Sequence, residues 1–142
     1  MQYFTIDELT RSDIAKSRKI DNTPTPQAKA NLVALVGKVL DPLRSAYGQP
    51  IIVTSGYRSP ALNRAVDGAA TSQHVKGEAA DIICSDNRRL FEIAKQMMRE
   101  GKIRVGQLID EKNYSWIHIS LPYSKVNQVL HWDGKRYVEE KL

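Results

Sequence analysis

Apolar residues in the first third of the chain recur at intervals of three and four. Leu32, Leu35, Val36, Val39, Leu40 and Leu43 form one stripe, the signature of a helix with a single buried face. Thr25 followed by Pro26 predicts its start, and Gly48-Gln49-Pro50 its end. Upstream, Thr5 with Glu8 three residues on reads as a capping box over a short helix, and Ser12-Asp13-Ile14-Ala15 as the start of a second turn. Past residue 50 the pattern changes. Ile51-Ile52-Val53-Thr54-Ser55 is β-branched and predicts a strand that runs into a turn at Gly56. A second strand is expected over 79–84, then a helix over 87–100, capped by Asp86, stopped by Gly101, with Leu90, Ala94 and Met97 inward. Gln107–Glu111 and Trp116–Ser120 predict two strands joined by a tight turn near Asn113-Tyr114. Asp133-Gly134 has the composition of a two-residue hairpin turn between 129–132 and 136–138. Helices before and between antiparallel-looking strands predict an α+β fold, with an antiparallel sheet flanked by helices.

Composition narrows this picture modestly. At 142 residues the chain is expected to form one domain, 1–142, large enough to bury a core without disulfide staples. The hydrophobic share of 42% and the charged share of 26% are those of a globular protein, and no stretch reaches bilayer-spanning length. Stable membrane association is therefore not expected. Cys84 is the only cysteine, which excludes an internal disulfide; after Asp81-Ile82-Ile83 it reads as a small buried hydrophobe. The first residues lack a basic start and a continuous apolar core, so the expectation is cytoplasmic synthesis without a signal peptide. A net charge of +5 favours a polyanionic partner, nucleic acid or an anionic cell envelope. The basic residues are scattered, however, and no aromatic-basic recognition motif accompanies them, so nucleic acid is not the expected partner.

The candidate chemistry lies in three side chains. His74 and Asp81 stand seven residues apart, with Gly77 permitting a bend and Ala79 and Ala80 permitting close packing between them. His118 is mid-strand between Ile117 and Ile119, and so shares a face with Trp116 and Ser120. Two imidazoles and a carboxylate suit a catalytic zinc ion, whose fourth position stays open to water. By spacing alone the alternative stands: a histidine in a strand is commonly structural, and an aspartate after two alanines can simply cap a turn. His131, beside Trp132, reads as a half-exposed structural residue.

Three segments taken together sharpen this. Ser55-Gly56-Tyr57-Arg58-Ser59-Pro60, the stretch from Ser72 to Asp81, and Trp116-Ile117-His118-Ile119-Ser120 resemble the zinc D-Ala-D-Ala carboxypeptidase and L-alanyl-D-glutamate peptidase-like family of bacterial and phage cell-wall enzymes. The similarity extends to Leu40-Asp41-Pro42-Leu43-Arg44 and Gln107-Leu108-Ile109, and is closest to small, single-domain members. It implies one zinc ion bound by His74, Asp81 and His118 in a cleft on the sheet, and hydrolysis of peptidoglycan stem peptides as a D,D-carboxypeptidase or endopeptidase. It also implies that Arg58 contacts substrate near the scissile carbonyl or terminal carboxylate, where a permanently charged fork is suited.

The general base is where the pattern departs. Several family members carry an acid three positions before the last histidine, and this chain has Ser115 there. Serine cannot take a proton from water in that role. Glu111 and Asp110 lie on the preceding strand. An even-numbered loop sets Glu111 opposite Trp116 on the face of His118; an odd one sets Asp110 there. Glu111 is the favoured base, because small relatives resemble this chain in carrying glutamate at that position. Ser72, Ser120 and Trp116 are further candidates for contact with substrate or with the ligands. The expected setting is phage or prophage lysis, with the chain acting as a monomer on the wall after release. The rival readings are a non-catalytic zinc-binding module and a phage structural component.

Overall fold

In the computed structural model, which describes residues 1–142, the N-terminal third is helical, as the pattern predicts. Helix α1 (Ile6–Thr10) begins at Thr5, whose hydroxyl accepts from the Glu8 amide, and α2 (Asp13–Ser17) begins at Ser12 in the same manner. The long amphipathic segment is one continuous helical run with a defect in it. Helix α3 (Pro26–Leu35) passes through a π-helical turn (Val36–Leu40) into α4 (Asp41–Tyr47). Pro42 has no amide hydrogen to donate one turn back, so the regular ladder is already broken where the wider turn sits. Gly48, at φ 80°, closes the run. Asp41, buried at the junction, accepts from the amides of Gln2 and Tyr3 and so fastens the N-terminal segment to this helix.

The rest of the chain alternates strands and short helices: β1 (Ile52–Ser55), α5 (Pro60–Ala65), a 3-10 turn (Gln73–Lys76), β2 (Ala79–Ile83), α6 (Asn87–Arg99), β3 (Gln107–Glu111), β4 (Trp116–Ser120), β5 (Gln128–Trp132) and β6 (Tyr137–Glu140). Helix α5, opened by Ser59 and Pro60, was not foreseen from the sequence. Six strands form one sheet in the order β1-β2-β4-β3-β5-β6. It is mixed, which corrects the expectation of an antiparallel sheet. Strands β3 and β5 run parallel, Asp110 facing His131, while all other neighbours are antiparallel. The chain leaves β4 and passes around the end of β3, so β5 pairs on the far side of β3 rather than beside β4. Asn127 secures that passage: its side chain accepts from the Val105 amide, and its own amide donates to the Val105 carbonyl.

Alternation along the strands divides the sheet. Ala80, Ile82, Leu108, Ile117, Ile119 and Val129 enter a core of 26 buried residues with Leu32, Leu35, Leu40 and Leu43 of the long helical run and Leu90, Phe91 and Met98 of α6. Burying each leucine or phenylalanine contributes roughly 1.5–3 kcal/mol. The intervening positions, Asp81, His118, Ile109 and Glu111, turn to the other face, where an open cleft lies. No helix is long and apolar enough to cross a membrane.

Candidate metal centre

His74 is positioned by two glycines. The 3-10 turn that carries it starts at Ser72, whose hydroxyl accepts from the His74 amide, and ends at Gly77 in the left-handed region (φ 73°). A Cβ at Gly77 would also lie 2.4 Å from the Ala28 carbonyl oxygen, so the turn packs tightly on α3. Gly56 ends the bend after β1, and a Cβ there would meet the Leu9 carbonyl oxygen at 2.1 Å. The Gly56 carbonyl then lies 2.7 Å from His74 Nδ1. Since a carbonyl only accepts, Nδ1 carries the hydrogen, and in the neutral ring Nε2 is the nitrogen that keeps its lone pair. Nε2 faces Asp81 Oδ1, 3.3 Å away.

Asp81 and His118 meet across the β2–β4 ladder, paired directly in register, with His118 Nδ1 3.0 Å from the same Asp81 oxygen. The three ligand atoms all lie within 4.8 Å of one another. Burial acts to raise the Asp81 carboxyl, but the two imidazoles beside it, which donate to it when they carry the extra proton, outweigh that and hold the group well below the usual carboxylate range. Without a proton on Nε2, the His74 lone pair and an Asp81 carboxylate oxygen would face each other. A proton or a metal cation between them relieves this, and the donor set suits zinc. The residues fit the ion.

Arg58 follows two residues after Gly56. Its backbone amide donates to the His74 carbonyl, and its Nη2 donates to Ser72 Oγ at 3.2 Å. Its Nε is buried without a partner. Burial lowers the guanidinium's pKa, and the negative charge of Asp81 opposes that shift. Both Arg58 and Ser72 line the cleft of about 670 Å³ that contains His74, Asp81 and His118.

A family model, described as Peptidase M15, matches residues 2–120. The chain belongs to that family. It is a zinc D-Ala-D-Ala carboxypeptidase-like member, and M15 membership makes it a metallopeptidase by family. Among curated proteins no match is found.

The other side chains singled out in this M15 chain divide between the two faces of the sheet. Glu111 and Trp116 pair in register and both line the cleft. Four residues, 112–115, separate their strands, so the even-loop register is the one that forms. Lys112, Asn113 and Tyr114 all take positive φ to make the turn. Asp110 is on the core side. It accepts from the Tyr114 amide, and its Oδ2 lies 3.0 Å from His131 Nδ1. Only 5% exposed, it does not line the cleft that holds the His-Asp-His group, whereas Glu111 does. Ser120 also lies off the cleft surface. Fully buried, it accepts from the Gln107 amide and does not line the cleft, because Gly106 and the start of β3 cover the end of β4.

Tyr137 was missed by the sequence reading. It belongs to β6, yet its hydroxyl donates to Glu111 Oε1 at 2.7 Å inside the cleft. Burial, then the hydrogen bond with Glu111 and the charges of Glu111 and Asp81, push the phenol well above its ordinary value, so it remains a donor. No local signal marks it. A tyrosine in a strand is commonplace, and its proximity to Glu111 depends on the parallel β3–β5 pairing. His131, read as structural, is half-buried and bridges Asp110 and Glu140.

Proposed function

We propose that the chain is a single zinc-peptidase domain that hydrolyses peptidoglycan stem peptides, and that His74, Asp81 and His118 hold one zinc ion. The observation that carries this reading is the His74 tautomer: with Nδ1 committed to the Gly56 carbonyl, Nε2 presents a lone pair to a carboxylate oxygen that also meets His118. A cation is the natural occupant of such a point. Family membership supports the same conclusion.

His74, Asp81 and His118 would hold the ion, and the chemistry it would supply is Lewis acidity toward a water and a substrate carbonyl. The chain's own residues supply the remainder. Glu111, on the cleft face of β3, accepts the proton of the attacking water and returns a proton to the leaving amine. Arg58 offers its unpartnered Nε to a substrate carboxylate or to the carbonyl oxygen as charge builds on it. Ser72 holds the guanidinium through Nη2, which fixes the direction of the fork. Trp116, Ile109 and Leu130 give the cleft an apolar wall for the peptide's side chains.

Peptidoglycan and a phage-lysis setting are supported by the resemblance of residues 55–60, 72–81 and 116–120 to small cell-wall peptidases, with the net charge of +5 aiding adsorption to an anionic envelope. The deciding experiment is mass spectrometry of muropeptides after digestion of purified sacculi, with and without a chelator. New fragments that vanish on chelation and return with zinc are expected, and their masses identify the bond cut. Unchanged muropeptides in the presence of zinc, or full hydrolysis without metal, would reject the reading.

A further inference from the structure

The cleft contains a polar contact that the functional reading does not use. Glu111 Oε1 accepts from Tyr137, a residue of the terminal hairpin, which lies beyond residues 2–120 matched by the family model. We infer that Tyr137 is a positioning residue for the general base: its hydroxyl ties down one oxygen of Glu111 and leaves Oε2 as the single oxygen available to the reacting water. The inference rests on the assignment of Glu111 as that base.

Three observations carry it. The first is chemical. A glutamate near the end of a strand has three rotatable bonds, and a base is effective only when its oxygen is within hydrogen-bond reach of the proton it takes. One strong bond to a charged oxygen restricts that freedom, and a phenol is a donor that stays protonated across the working pH range.

The second is that Tyr137 itself is held. Its ring packs against Trp132, centroids 4.8 Å apart, and the two residues are paired in register across β5 and β6. The third is that the hairpin is clamped to the body of the domain from the opposite face. Glu140 Oε2 accepts from Lys95 of α6 at 2.7 Å, and Glu140 Oε1 lies 2.7 Å from His131 Nε2. His131 in turn reaches Asp110, the residue beside Glu111. This chain of charged contacts ties β6 to β3 immediately behind the base, so the position of the Tyr137 hydroxyl is determined relative to Glu111. An exposed edge strand without such a clamp would not fix it.

The test is a double-mutant cycle of Tyr137→Phe and Glu111→Gln, assayed on soluble disaccharide-peptides released from sacculi by a muramidase. Zinc content and thermal midpoint are measured on every variant. Glu111→Gln alone tests the base: retained kcat there defeats that assignment, whatever Tyr137 does. With the base upheld, Tyr137→Phe is expected to lower kcat on the order of tenfold, in the range seen when a supporting hydrogen bond is removed. KM and bound zinc should stay within about a factor of two. In the Glu111→Gln background the same change should have almost no further effect, because the oriented group is already gone. A crystal structure of Tyr137→Phe should show the Glu111 carboxylate turned from its present orientation. An unchanged kcat, a rise in KM alone, an equal loss in both backgrounds, or an unmoved Glu111 carboxylate overturns the inference.

Discussion

His74 and Gly56 are joined by a 2.7 Å contact from imidazole Nδ1 to main-chain carbonyl, and this decides which nitrogen of His74 is free. A backbone carbonyl cannot be titrated away, so it fixes the ring's tautomer and tilt more firmly than a side-chain partner. Gly56 is required for the contact, because the chain passes too close to Leu9 for any Cβ.

Gly56→Ala is therefore expected to destabilise the fold by about 1–3 kcal/mol through the clash with the Leu9 carbonyl. It should also weaken zinc binding as the His74 acceptor shifts. Urea denaturation and zinc titration of the same protein measure the two effects, and an alanine variant of full stability would show that the backbone can move aside.

Asp81→Asn removes the charge that His74 and His118 share while keeping the side chain's size. Zinc affinity should fall by more than about tenfold, since loss of a ligand's partner alone costs that much. Atomic absorption after dialysis at fixed free zinc is the measurement; undiminished occupancy would remove Asp81 from the ligand set.

Arg58→Lys keeps the positive charge but loses the fork and its bond to Ser72. A fall in kcat/KM of about ten- to hundredfold is expected, with zinc content unchanged. Equal activity in the lysine variant would mean that Arg58 acts only as a distant charge.

Ser120→Ala tests the placement of Ser120 outside the cleft. It leaves the Gln107 amide without its hydroxyl acceptor at a buried position, at a cost of about 1–3 kcal/mol. Chemical denaturation should show that loss, while kcat per folded molecule is retained. A selective drop in kcat would return Ser120 to the site.

His131 makes stability depend on pH. Burial disfavours its charged form, but hydrogen bonds and charge from Asp110 and Glu140 prevail, and its pKa rises above the ordinary value of 6.5. A group raised in the folded state stabilises fully below its unfolded value, and the contribution fades as pH climbs through the raised one. The stability difference between the parent chain and His131→Gln, from urea unfolding, should thus be greatest below about pH 6.5 and shrink above it. A difference that grows with pH would reverse the sign of the argument.

Local rules of the chain made much of this legible. Thr5, Ser12, Thr25 and Asp86 each cap the helix that their position predicts, because capping is a contact over three residues. The stripe from Leu32 to Leu43 is buried throughout. The parity rule that relates loop length to which of Glu111 and Asp110 shares the face of His118 is likewise a local count, and the length of the turn had to be found in the fold. The π turn before Pro42 and helix α5 escaped, since neither changes the apolar periodicity enough to be read.

What the residues announced on their own was the donor set: two imidazoles and a carboxylate on segments whose turn and strand pattern permits them to meet. Their actual convergence, and the company they keep, belonged to long-range pairing. Asp81 faces His118 across a ladder 37 residues long in sequence, and Tyr137 reaches Glu111 because β5 docks parallel to β3. Strand order arises from closing loops and covering one shared core, a property of the whole chain that no short window of side chains encodes.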